Sequence, residues 1–228
     1  MRHASENVGI KQNEIVSDIK PLKEKMNNNL YLSKGNEKLS ENILVWSLPA
    51  IQTCPNCRDC KDDCYARKAE IQYPEVLPCR TRNWEQAEKP EFVRDMVHKI
   101  RKMAKSARKH KVKYVRIHES GDFYNRTYFM KWVEIARIIE KTNPEITFYG
   151  YTKVPGIMAN VDMPDNMNIV ESVMPDGRVN FGEKQEVIDM AKKYKATICP
   201  YGKSKKAFTC GIECNACTTK RRVVFIQH

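Results

Sequence analysis

The sequence predicts an α/β fold: a partial (β/α) barrel with mostly parallel strands, a polar N-terminal arm over residues 1–40 and a Cys-rich C-terminal segment over residues 201–228. Three observations predict it. Short apolar runs of strand length alternate with longer stretches whose apolar residues recur every three or four positions, and consecutive parallel strands need such crossover helices. The unusual polar clusters fall directly after the apolar runs, where parallel folds bind their ligands. Eight of the nine cysteines fall into two groups, at the start and the end of the alternating region. The 228 residues are 41% hydrophobic and 30% charged, which suffices for a sizeable core and excludes a wholly disordered chain.

The elements follow in order. Residues 1–40 are polar, with Asn27-Asn28-Asn29 and a Ser33-Lys34-Gly35-Asn36 turn. Ile43 to Leu48 is a buried strand that ends at Pro49 and delivers the chain into the first cysteine group. After Pro90 a helix presents Phe92, Met96, Ile100, Met103, Ala104 and Ala107 on one face. Val112 to His118 is the second strand, closed by Glu119-Ser120-Gly121-Asp122. A helix over about 125–142 carries Phe129, Trp132, Val133, Ala136 and Ile139, and Asn143-Pro144 stops it. Ile146 to Tyr151 is the third strand, leading into Thr152-Lys153, and Met167 to Val173 the fourth, with a turn at Pro175-Asp176-Gly177. Residues 183–194 form a helix through Val187, Met190, Ala191 and Tyr194. Thr197-Ile198 ends a fifth strand of the same sheet, running into Cys199-Pro200. The α/β domain is thus expected over residues 41–200, with the C-terminal segment folded back over the edge where the cysteines gather.

Cys54, Cys57, Cys60 and Cys64 fall within eleven residues, and Cys199, Cys210, Cys214 and Cys217 within nineteen, while Cys79 stands apart. The odd count, the length and the polar Met1 to Glu14 stretch argue against a secreted disulfide framework, which leaves metal ligation. Cys54-x2-Cys57-x2-Cys60-x3-Cys64 has the spacing of a bacterial ferredoxin run wrapped around a [4Fe-4S] cluster, with Tyr65 in place of the usual proline. Zinc suits it less, because structural zinc takes two knuckles separated by a longer stretch. The second group tolerates either zinc or a second [4Fe-4S] cluster. Metal ligands are therefore expected at all eight clustered cysteines, with Cys79 outside the set.

His118, Glu119 and Asp122 end a strand in the expected pocket, where burial can tune proton transfer. The structural alternatives are that Asp122 caps the following helix and that Glu119 pairs with Arg116. Lys153 can bind an anion or cofactor at the same edge, beside Glu119. There is no Gly-rich phosphate loop and no nucleophile elbow.

The chain carries 40 basic and 28 acidic residues, and residues 94–116 alone hold ten Lys/Arg against Asp95. Clustered positive charge points to an anionic partner. No base-reading module is recognisable, so non-specific nucleic acid or a host protein is the expected partner. No apolar run approaches the roughly 18 residues of a membrane helix, so no membrane partner is expected and the cytoplasm is the expected location.

Leu48-Pro49-Ala50, Thr53-Cys54-Pro55, Cys60, Cys64-Tyr65-Ala66, Arg82-Asn83, Arg116 to Tyr124, Tyr151-Thr152-Lys153 and Cys199-Pro200…Cys210…Cys214…Cys217 together resemble the bacteriophage gene product 88 family over about residues 33–220. The resemblance implies a phage or prophage origin, hence the host cytoplasm, and names no reaction. On its pattern Cys54, Cys60 and Cys64 are the family thiols and Cys57 is additional. The order of parts also resembles the radical S-adenosylmethionine superfamily, in which Glu119-Ser120-Gly121 would occupy the place of the turn that holds the methionine amino group. That superfamily's Cys-x3-Cys-x2-Cys is absent after the first strand and occurs only as Cys210-x3-Cys214-x2-Cys217, so the spacing does not support S-adenosylmethionine as cofactor. Two classes of function follow: an iron–sulfur enzyme with a pocket at the strand ends, or a metal-stabilised protein that binds through its basic surface.

Overall fold

The computed structural model describes residues 29–36, 39–57, 60–107, 109–173, 177, 179–200, 210, 214–220 and 222–226. Most of the expected arm and the turn at 174–176 lie outside them. The main sheet has five strands in the order β1 (Ser33–Lys34), β2 (Ile43–Trp46), β3 (Tyr114–Ile117), β4 (Thr147–Thr152) and β5 (Met167–Glu171). β2 to β5 are mutually parallel, and β1 pairs antiparallel with β2 at the edge. The sheet is open; among the described residues no strand closes it into a barrel.

The helices are α1 (Tyr65–Gln72), α2 (Val76–Glu88), α3 (Phe92–Ser106), α4 (Arg126–Thr142), α5 (Lys184–Tyr194) and α6 (Ala216–Thr219). The expected stripes of α3 and α4 are buried or packed against the core. Asn125 caps α4 by accepting from the Tyr128 backbone N–H at 2.8 Å, so the helix cap is not Asp122. α5 begins with a reciprocal capping box between Glu183 and Glu186.

β2 is buried on both faces, as its unbroken Ile-Leu-Val-Trp run requires. Leu44 and Trp46 enter the core shared with α3 and α4, where Trp46 meets Phe92 at 5.6 Å and Trp132 at 6.0 Å between ring centroids. Ile43 and Val45 face the other way, into a smaller cluster with Leu39 and Tyr149, against which Cys210 and Cys217 pack. The C-terminal segment therefore covers the second face, with α6 packed on β4 and β5.

One expected element is misplaced in the sequence reading. Thr197–Ile198 (β7) does not extend the main sheet; it joins a second, three-stranded parallel sheet with β6 (Phe181–Gly182) and β8 (Val223–Ile226), in the order β6-β8-β7. The physical reason is the apolar Val-Val-Phe-Ile run of β8, which supplies β7 with a nearer partner than β5 and buries Val224 against Val187 and Met190 of α5. The described end of the arm is likewise part of the sheet, with Leu30 and Leu32 in the core.

Candidate functional site

Both parallel sheets direct the carboxyl ends of their strands at one cavity of about 440 Å³. The loop after β2 contributes Cys54, Cys57, Cys60 and Cys64; the turn after β3, His118 to Asp122; the end of β4, Thr152 and Lys153; and the residue after β5, Ser172. The second sheet adds Cys199 after β7 and Phe225 and Ile226 of β8, and the covering segment adds Cys210 and Cys217. Seven of the eight clustered cysteines thus line one space. The eighth, Cys214, lines an adjoining cavity of about 60 Å³ together with Cys199, Cys210 and Cys217. Cys79 lies on α2, outside both. None of the nine cysteines is in a disulfide. Among the described residues no three His, Cys, Asp or Glu side chains stand closely enough to hold one metal ion; the thiols line the wall and do not converge on a point.

The electrostatics of the two groups match. Burial pushes the Cys54 thiol up to about 12, and the nearby Asp122, Cys64 and Cys57 push in the same direction. Burial likewise pushes Cys217 up to about 12, with Cys199, Cys210 and Cys214 adding to it and a hydrogen bond with the Tyr151 side chain opposing it. Each group thus holds one thiol whose ionisation burial and its neighbours disfavour and that a bound cation would ionise.

The cysteine loop is held at its base by polar groups that the sequence reading left unassigned. Asn83 of α2 accepts from the Tyr31 N–H at 2.9 Å and donates to the carbonyls of Tyr31 and Ser47, each at 3.0 Å. Arg80 pairs with Glu70 of α1 at 2.8 Å, and the same carboxylate accepts from the Ala50 N–H. On the other side, the Leu48 N–H donates to the Ser120 carbonyl at 2.9 Å and the Asp122 N–H to the Thr53 carbonyl at 3.1 Å.

Asp122 is a brace. Its two carboxylate oxygens accept from the backbone N–H groups of Phe123 at 2.7 Å and Lys153 at 2.8 Å, tying the turn after β3 to the end of β4. Burial raises its pKa, against those hydrogen bonds. Glu119 accepts from Asn36 Nδ2 at 2.7 Å, and its backbone carbonyl accepts from the Tyr65 hydroxyl. It forms no ion pair with Arg116.

His118 is 4% exposed and holds a left-handed backbone at φ 67°, an expensive conformation for a side chain of this size. Its Nε2 lies 2.9 Å from the Tyr128 hydroxyl, whose oxygen also accepts from Trp46 Nε1 at 2.9 Å. The hydroxyl proton is satisfied only if Tyr128 donates to Nε2, which puts the imidazole proton on Nδ1. Burial pushes the imidazole down to about 3. An unfolded histidine takes up its proton near pH 6.5, so between about pH 6.5 and 3 the unfolded chain binds more protons and stability falls as pH falls. His118→Asn, which tolerates the left-handed backbone, is expected to flatten this acid slope. Urea midpoints at pH 6.5 and 4.5 measure it; a slope as steep in the variant as in the parent protein contradicts the assignment.

The exposed basic residues Arg101, Lys102, Lys105, Lys109, Lys111 and Lys113 sit at the C-terminal end of α3 and before β3, at the opposite edge of the main sheet from the cavity. Among the described residues no helix is long and apolar enough to cross a membrane.

Fold and site together define a thiol-rich α/β protein whose cysteine loops meet at the carboxyl ends of parallel strands. The profile of the Gene product 88 family matches residues 24–224, and the chain belongs to that family. It is similar to the Gene 88 protein of Mycobacterium phage L5, at 26% identity over 199 residues, covering 83% of this chain and 80% of the phage protein. It is also similar to the Gene 88 protein of Mycobacterium phage D29, at 27% identity over 161 residues, covering 67% of this chain and 65% of that one. No solved structure matches the chain.

Proposed function

We propose that the protein is an iron–sulfur protein in which Cys54, Cys57, Cys60 and Cys64 hold a [4Fe-4S] cluster against the cavity, and Cys199, Cys210, Cys214 and Cys217 form a second metal site beside it. The observation that carries the reading is the meeting of both cysteine groups at one cavity, from loops 135 residues apart at their nearest members, Cys64 and Cys199. The donor set fits the group. Free thiols are soft ligands that select iron–sulfur clusters, zinc or copper(I). Thiols distributed around a wall suit a body of several irons better than one tetrahedral ion, which draws its sulfurs to about 2.3 Å. Burial and the neighbouring thiols keep Cys54 and Cys217, one in each group, protonated until a cation is present.

Bound there, a cluster supplies or accepts single electrons at the cavity wall. The chain's own residues do the rest. Asp122 fixes the turn after β3 to β4, Phe225 and Ile226 give the cavity an apolar side, and Arg116, Glu119 and Lys153 give it a charged one. A space of this size admits a small organic molecule.

The test is anaerobic expression with adequate iron, followed by iron, zinc and acid-labile sulfide analysis and electron paramagnetic resonance after reduction. The expected sample is brown, holds iron and sulfide in roughly equal number and gives a reduced-cluster signal. Stoichiometric zinc without sulfide contradicts the reading.

A further inference from the structure

We infer that the cavity binds a small organic anion, carrying a carboxylate or a phosphate, and that Arg116 is its anchor. The inference deepens the proposed function, on which its placement beside a cluster rests. Arg116 projects from β3, stacked over the Tyr151 ring at 5.5 Å from the centroid, and lines both cavities. Burial opposes its charge, but the nearby Glu119 carboxylate favours it and the guanidinium stays protonated. A guanidinium has five N–H donors and no acceptor, and burying it unpaired is costly. Yet among the described residues the Arg116 guanidinium makes no hydrogen bond and no ion pair, and its Nε is buried without a partner.

The neighbouring strand end has the same deficit. Of the residues that line the larger cavity, three carry a buried polar atom without a partner: Arg116 Nε, His118 Nδ1 and Ser120 Oγ. All three can donate, given the proton on His118 Nδ1 argued above. The His118 ring turns into the core against Phe123 and Tyr128, so the donor that carries the inference is the Arg116 guanidinium, whose planar fork matches carboxylate and phosphate oxygens two at a time.

The experiment is calorimetric titration of the anaerobically isolated protein with inorganic phosphate and, separately, with malonate. It compares the parent protein with Arg116→Gln, Arg116→Lys and the double variant Lys102→Gln/Lys105→Gln on the exposed end of α3, with the iron content of every sample recorded. The parent protein is expected to bind at least one anion saturably, and whichever binds more tightly identifies the head group. Arg116→Gln should weaken it at least tenfold, Arg116→Lys less, and the α3 variant not at all. If Arg116→Gln does not fold, the loss is read from Arg116→Lys, which keeps the charge and gives up the fork. Saturable binding by neither anion, equal affinity in the Arg116 variants, or binding lost only with the α3 lysines overturns the inference. So does a change in iron content on replacing Arg116 with anion affinity unaltered, which would make the residue a counter-charge to the metal. Iron-free protein that still binds an anion through Arg116 refutes the cluster and keeps the anion site; iron-loaded protein that binds neither anion refutes the anion site alone.

Discussion

Replacing Cys60 or Cys64 with serine is expected to remove the iron held by residues 54–64, about half the total if the second group holds a cluster of its own, and to lower the soluble yield sharply. The substitution exchanges one atom at partly exposed positions, so packing alone predicts almost no effect. A thiolate ligand, by contrast, couples metal affinity to folding, because the unfolded chain has no assembled site. Cys79→Ser is the matched control: its thiol is also partly exposed but lies on α2, away from both cavities, and its metal content should equal that of the parent protein. Iron and sulfide per chain, measured anaerobically, decide the matter. Unchanged iron in the Cys60 and Cys64 variants, or equal loss in all three, removes the basis for the first site.

Gly121→Ala is expected to be severely damaging although it adds a single carbon. Gly121 has φ +87°, and a Cβ there would stand 2.6 Å from Thr53 Oγ1 and 2.7 Å from Leu48 Cβ. Leu48 and Thr53 are fully buried and frame the entry to the cysteine loop, so neither can yield without moving it. The left-handed backbone costs about 1–2 kcal/mol for an L side chain and the overpacking about 1–3 kcal/mol more. A total of about 3 kcal/mol lowers the melting temperature of a chain this size by roughly 10 °C, and iron retention should fall with it. Gly156→Ala separates the two causes. Its φ is +68° but nothing lies within 4 Å of the added carbon, so it carries the backbone cost alone. Equal melting temperatures for the two variants would show that the contact with Leu48 and Thr53 is unimportant.

The sequence announced the parts that obey simple periodicity. Ile43 to Trp46, with apolar residues throughout, could only be a strand buried on both faces, and the stripes of α3 and α4 fixed which sides of those helices enter the core. α1 and α2 escaped notice because α2 buries polar residues, Arg80, Asn83 and Gln86, and its interior face carries no apolar stripe. The role of those residues, pinning the base of the cysteine loop, depends on partners up to 52 positions away. β8 was hidden for a different reason: four apolar residues behind a basic, cysteine-rich stretch look like a tail until β6 and β7 are seen to flank them.

The site divides in the same way. The cysteine spacing and the placement of polar clusters after strands drew attention to the cavity residues. Sequence alone left Asp122 between helix cap and proton carrier; the tertiary contact with the Lys153 N–H shows it to be a brace. Arg116 stood in the sequence only as a possible partner for Glu119. The anion site inferred for it rests on the hydrogen bonds its guanidinium does not make among the described residues, which no spacing can reveal.

The most direct measurement is X-ray absorption at the iron and zinc edges of the anaerobically isolated full-length protein. Occupancy of residues 54–64 by a cluster predicts iron in an all-sulfur first shell with short iron–iron scattering behind it, with the iron per chain cut in Cys64→Ser, by about half if the second group holds a cluster of its own and entirely if it does not, and unchanged in Cys79→Ser. Zinc in a sulfur shell with no iron present, or iron in a nitrogen and oxygen shell without iron–iron scattering, would contradict the account.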